Sequence, residues 1–170
     1  MVFNKEIEVV IKDCRDVAID LGSDHLSSYH FIIALLKTNN FPNEIFKNRN
    51  WNFIELYKSM LEVDKKKCEN YYLTVEFEKA LKNAKYYSWI YNVKEVKSEH
   101  IILALLADRK SYAGEYLRCI GMNYFEFKTQ YEKIKKQNAN KFLEKIATNK
   151  ITIALKIPNI AYDLFNKNAD

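Results

Sequence analysis

Apolar residues recur at helical spacing from the start of the chain. Ile7, Val10, Ile11, Cys14, Ala18 and Leu21 fall on one stripe at helical spacing, which predicts an amphipathic first helix with one buried face. Asn4 is a suitable N-cap, because its side-chain oxygen can accept from a free backbone N–H, and Gly22 is a suitable stop. The next apolar run, Phe31-Ile32-Ile33-Ala34-Leu35-Leu36, is apolar nearly all round. It predicts a short central helix, buried on every side, with Ser28 as its cap. Pro42 suits the first turn of a third helix over roughly 42–48, and Asn52 the cap of a fourth.

The series then runs a second time. Ser28-Tyr29-His30-Phe31-Ile32-Ile33-Ala34-Leu35-Leu36 returns as Ser98-Glu99-His100-Ile101-Ile102-Leu103-Ala104-Leu105-Leu106, with His30 and His100 70 positions apart. At the same offset Phe3 meets Leu73, Asn4 meets Thr74, Glu6 meets Glu76, Ile7 meets Phe77, Cys14 meets Ala84 and Leu26 meets Val96. After the phrase the offset slips by one, so that Asn50-Trp51-Asn52-Phe53 lies opposite Gly121-Met122-Asn123-Tyr124. A one-residue slip is what a loop insertion produces, and loop closure depends only weakly on length. Self-similarity at a fixed offset sets the architecture. The expected fold is all-α, two tandem four-helix repeats with pseudo-twofold symmetry, packed through their buried second helices along a dry seam. The second copy's third helix is expected over Tyr112–Ile120, and its fourth from Asn123.

Domain bounds follow from the repeat: 1–136, divided into repeat one (1–62), a linker (63–72) that takes in most of the charged run Glu62–Asn70, and repeat two (73–136); then a C-terminal extension, 137–170, with no counterpart. In the extension a short helix is expected over Asn140–Thr148. Ile151-Thr152-Ile153-Ala154-Leu155-Lys156-Ile157 alternates as a strand does, Pro158 would break it, and Ala161–Phe165 would make a last helical turn.

Composition changes this picture little. Three glycines and two prolines in 170 residues disfavour an all-β fold with its many turns. Cys14, Cys68 and Cys119 are an odd number with no Cys-x-x-Cys pair, which points to a reducing compartment. With no basic-then-apolar leader and no membrane-length apolar run, a cytoplasmic protein is expected. The net charge of +5 divides as −1 over residues 1–72, +4 over 73–136 and +2 over 137–170. That density falls short of a nucleic-acid footprint.

The repeated residues resemble the amino-terminal domain of the Clp-type AAA+ unfoldases. In that family each of two four-helix repeats opens with Phe-Thr and carries a Gly-Thr-Glu-His phrase before Leu-Leu-x-Ala/Gly-Leu-Leu. A Gly-Val-Asp phrase precedes the last helix. Here Phe3-Asn4 and Leu73-Thr74 stand for the opening, Ser28-Tyr29-His30 and Ser98-Glu99-His100 for the second phrase, and Gly121-Met122-Asn123 for the third, with Asn50-Trp51-Asn52 a weaker version. The resemblance spans about residues 3–136. It implies a non-enzymatic module that docks protein substrates or adaptors and modulates a Clp ATPase or protease subunit. The family's ATPase modules need a Gly-x-x-x-x-Gly-Lys-Ser/Thr loop, and Gly22, Gly114 and Gly121 supply none; the non-repeat tail with its own periodicity favours a free-standing copy of the domain over one separated from its ATPase.

The resemblance also implies site residues. In one branch the Glu of each phrase holds the guanidinium of phosphorylated arginine, which by position leaves Glu99. Tyr29 stands at the other site and has no negative charge to offer. The family's opening Phe borders a ligand groove, and Phe3 keeps it. From the residues themselves, Tyr86, Tyr87, Trp89 and Tyr91 cannot all face a core, because successive positions rotate about 100°. Trp89 and Tyr91 are therefore candidate contacts. His30 and His100, with Ser28 and Ser98, are read as structural elements of the phrase: each imidazole sits near a helix start and hydrogen-bonds the local backbone. Neither catalytic residues nor cofactor are expected. His25, His30 and Cys14 lack a fourth ligand, so no metal is expected. No membrane partner is expected. The alternative reading is a small basic helical regulator that binds nucleic acid.

Overall fold

The computed structural model describes residues 2–38, Ile45 and 70–166. The chain divides into two compact units, Met1–Lys128 and Thr129–Asp170. The described elements are α1 (Lys5–Leu21), β1 (His25–Leu26), α2 (Ser28–Lys37), β2 (Tyr72–Leu73), α3 (Val75–Ile90), α4 (Ser98–Ala107), α5 (Tyr112–Cys119) and α6 (Tyr124–Asn166). Apart from Ile45, which is helical and buried, the expected third and fourth helices of repeat one lie outside the described residues, as does the linker over 63–69.

The duplication is visible atom by atom. Asn4 and Thr74 cap α1 and α3, accepting from the N–H of Ile7 (3.0 Å) and Phe77 (3.3 Å). Ile7, Val10, Cys14, Val17, Ala18 and Leu21 are buried on α1; Phe77, Ala80, Ala84 and Ser88 are buried on α3. Both helices end alike. Gly22 takes φ 75°, with its N–H on the Ile19 carbonyl and that of Ser23 on Ala18. Seventy positions on, Asn92 takes φ 52°, with its N–H on Trp89 and that of Val93 on Ser88. Glycine adopts this left-handed conformation freely, and asparagine is among the few other residues that tolerate it. The stop at Gly22 is legible in sequence, whereas Asn92 does the same work without announcing it.

The opening of each repeat pairs with the other repeat. β1 and β2 run parallel, Leu26 opposite Leu73, and the Thr74 N–H reaches the Leu26 carbonyl at 2.9 Å. The symmetry mate is the parallel bridge Phe3–Val96, with the Asn4 N–H on the Val96 carbonyl at 3.2 Å. Each opening segment thus finds its backbone partner just before the other copy's second helix, which interlocks the two copies.

The central helices are as apolar in surroundings as in sequence. On α4 every residue from Ser98 to Leu106 is buried, and on α2 Ser28 and His30–Leu35 are buried. They do not form the seam by packing chiefly on each other, as the sequence suggested. α2 packs on α1 and across the repeats on α5, while α4 packs on α3 and α5. Phe31 of α2 meets Phe77 of α3 with ring centroids 5.5 Å apart.

Gly114 of α5 sits against α4. A Cβ there would run into the Leu105 carbonyl oxygen, and backbone cannot swing away as a side chain can. Gly114→Ala is expected to lower stability by about 1–3 kcal/mol, despite alanine's better helix propensity. Urea unfolding monitored by circular dichroism checks it. A neutral or stabilising result would show that α4 and α5 are free to separate.

The extension departs from the expectation. No strand forms over Ile151–Ile157, and Pro158 does not end the element: α6 is one helix of 43 residues. The same apolar residues that alternate at Ile151, Ile153, Leu155 and Ile157 also satisfy helical spacing through Ile153, Ile157, Ile160 and Leu164. A short apolar run cannot be assigned by period alone. Proline lacks one N–H donor and kinks a helix interior, yet need not end it.

Candidate functional site

Three helix starts converge where the repeats meet. Ser28 opens α2, Glu76 lies in the first turn of α3, and Ser111 caps α5. The Ser28 hydroxyl donates to the Glu76 carboxylate at 2.8 and 2.9 Å to its two oxygens. The Ser111 hydroxyl donates to the same group at 2.5 Å while accepting from the Gly114 N–H at 3.0 Å. A carboxylate is well placed there, because helix starts carry partial positive charge. The seam is therefore not wholly apolar. A half-buried carboxylate with two buried serine donors stands in it.

Over this carboxylate opens a cleft of about 540 Å³, walled by Tyr29, Val75 and Tyr112, with Glu76, Lys79, Asp108 and Lys110 at its polar positions. Tyr29 donates its hydroxyl to the Tyr112 carbonyl at 3.1 Å, and its ring meets Tyr116 edge-on. Burial, then the Glu76 and Glu115 carboxylates, push the Tyr29 phenol up, so it stays a neutral donor. Lys79 binds Asp108 at 2.6 Å. With the Lys110 N–H (3.0 Å) on its other oxygen, that ion pair holds the Asp108 carboxyl below the usual range. Tyr112 and Val75 expose 65% and 85% of their surface, so apolar area is on offer.

The histidines act on backbone. His30 Nδ1 accepts from the Ser27 N–H at 2.9 Å, and His100 Nδ1 accepts from the Lys97 N–H at 3.0 Å. Burial, with His25 nearby, pulls the His30 imidazole down to about 4, so the ring is a neutral acceptor at physiological pH. Ser28 and Ser98 are not the caps that the sequence suggested. Their hydroxyls go to Glu76 and Glu99, and the imidazoles take over the orphan N–H groups. The sequence pattern could not distinguish a serine at the cap from one a residue inside it.

The predicted contact residues divide. Phe3 is bridged to Val96, Glu99 lies in the first turn of α4, and Tyr91 stacks on His100 at 6.2 Å; these three gather around the start of α4. Glu99 is 7% exposed. Burial and the Glu6 carboxylate push its carboxyl up, against its own N–H, Lys97 and Ser98. Trp89 stands elsewhere. It is 62% exposed, edge-on to Tyr86, with the Lys85 ammonium 4.8 Å over its ring. Sequence reasoning missed Glu76, Lys79, Asp108, Lys110 and Tyr112 as a group. The available signal was the position of Tyr29 in the repeated phrase, which the pseudo-twofold carries onto Glu99.

The profile of the Clp repeat (R) N-terminal domain matches residues 2–120. The chain belongs to that family. Solved structures agree in fold. The Hsp104 N-terminal domain from Candida albicans is 17% identical, with TM-score 0.65, covering 79% of this chain and 92% of that one. The N-terminal domain of the chaperone ClpD from Arabidopsis thaliana is 17% identical, with TM-score 0.51 and coverage of 76% and 94%. The N-terminal domain of the ClpV1 ATPase from E. coli EAEC is 12% identical, with TM-score 0.61 and coverage of 75% and 82%. No curated protein sequence matches. In Clp ATPases this domain is the non-catalytic module that binds substrates and adaptors. Among the described residues no helix is long and apolar enough to cross a membrane.

Proposed function

We propose that this Clp N-terminal repeat domain captures peptide segments of client or adaptor proteins in the Tyr29–Tyr112 cleft, without chemistry of its own, and presents them to a Clp-type machine. The observation that carries the reading is the cleft itself. It combines exposed apolar wall, a phenol, and charges of both signs at the junction of two interlocked repeats. Such a surface suits a short extended segment with one apolar anchor and a polar end. Glu99 stands where the repeat offset carries Tyr29, with Phe3 and Tyr91 near it around the start of α4. Glu99 is buried and would meet a guanidinium there only after exposure, so the first cleft is the main site. Trp89 is a separate contact.

Fluorescence anisotropy with short labelled peptides tests this. Tyr29→Ala and Tyr112→Ala are each expected to weaken binding at least tenfold, about 1.4 kcal/mol, while the Trp89→Ala variant changes it less. Peptide binding that neither cleft variant alters would refute the assignment. So would tight binding of nucleic acid with no peptide binding at all.

A further inference from the structure

Read on a helical backbone, the extension carries a heptad pattern. Leu143, Lys150, Ile157 and Leu164 are seven apart, and Ile146, Ile153 and Ile160 interleave with them at steps of three and four. All lie within α6. Taking Leu143 as a, the d positions are isoleucine throughout. Ala147, Ala154 and Ala161 occupy every e position, and Lys145, Thr152, Asn159 and Asn166 occupy every c. Where side chains are described, this face is open: Leu143 is 62% exposed and Ile146 36%. The family match covers residues 2–120, and this segment lies beyond it.

We propose that α6 joins copies of this chain into a coiled coil of three or four helices. A sustained a/d repeat is complementary to other helices with the same repeat, which makes a second copy the occupant. Isoleucine at d, with leucine or isoleucine at a, disfavours the two-stranded form and favours three or four strands. Alanine along e widens the apolar face beyond a two-helix seam. Lys150 at a is the single polar residue in the stripe, a position where one charge sets register at a cost in stability. Pro158 falls at b, off the seam, so the tightest packing is expected before it. Joining three or four peptide clefts on one assembly would raise avidity for clients with repeated segments.

Sedimentation of the full chain at tens of micromolar tests this. The expected mass is three to four times 20.2 kDa. Ile146→Glu with Ile153→Glu should yield the single-chain mass, with the domain's cooperative melting retained, and Thr152→Glu at c should leave the assembly intact. If the double variant loses cooperative melting, Lys150→Leu decides: dissociation is expected at a concentration at least tenfold lower than for wild type. A single-chain mass for wild type overturns the proposal, as does an assembly indifferent to both the d and the Lys150 changes. Flotation of a single-chain species with phosphatidylcholine–phosphatidylglycerol vesicles would assign the face to a membrane surface, and also overturns it.

Discussion

Phe31→Ala is expected to lower the unfolding free energy by about 3–5 kcal/mol. Phe31 is fully buried and Phe77 1% exposed, and their rings meet at 5.5 Å between α2 of one repeat and α3 of the other. Truncation removes the transfer free energy of a large ring and leaves a hole that two interlocked helices cannot both close. Domains of this size have only about 5–15 kcal/mol in total, so much of the stability would go. Phe31→Leu keeps most of the volume and is expected to cost less, about 1.5 kcal/mol. Urea unfolding measures both. A loss below about 1 kcal/mol for the alanine variant would show that the repeats are not joined through this contact.

Replacing Glu76 by alanine is expected to cost about 2–4 kcal/mol, from hydrogen bonds to a charged group at about 1.5–3 kcal/mol each. Two terms act together. The Ser28 and Ser111 hydroxyls, which are 0% and 1% exposed, lose the acceptor they share. Three helix starts also lose the negative charge that complements them. Glu76→Gln keeps one acceptor oxygen for the serines but loses the charge and turns the other oxygen into an amide donor, so its cost should be smaller than that of alanine. The same carboxylate lies at the cleft, so both variants should also change peptide affinity. Equal stability of the alanine and glutamine variants would mean that hydrogen bonding at Glu76 contributes nothing beyond its charge.

Much of this was legible beforehand, for identifiable reasons. A buried helix face leaves a period in the sequence, and a duplicated unit leaves it twice. The caps at Asn4, Thr74 and Asn123 were readable because a side-chain acceptor before an apolar stripe has one common use; the Asn123 oxygen accepts from the Glu126 N–H at 2.9 Å. The hydrogen bonds of His30 and His100 to local backbone were readable from their place at helix starts. The cleft was not. Tyr29, Glu76 and the stretch that carries Asp108 and Tyr112 are far apart in sequence and share no period, so nothing local marks them as neighbours. The strand expected over Ile151–Ile157 failed for the opposite reason: its local pattern fitted two periods equally well.

Sequence alone determined the two-copy helical architecture and the family, because burial of one face and repetition of a unit are both written in residue order. Tertiary structure decided which surfaces meet. It exchanged the opening segments between repeats, placed Glu76 under two serines from other helices, and opened a cleft beside them. Those outcomes depend on long-range pairing, where each group finds its partner by the geometry of closure and not by spacing along the chain.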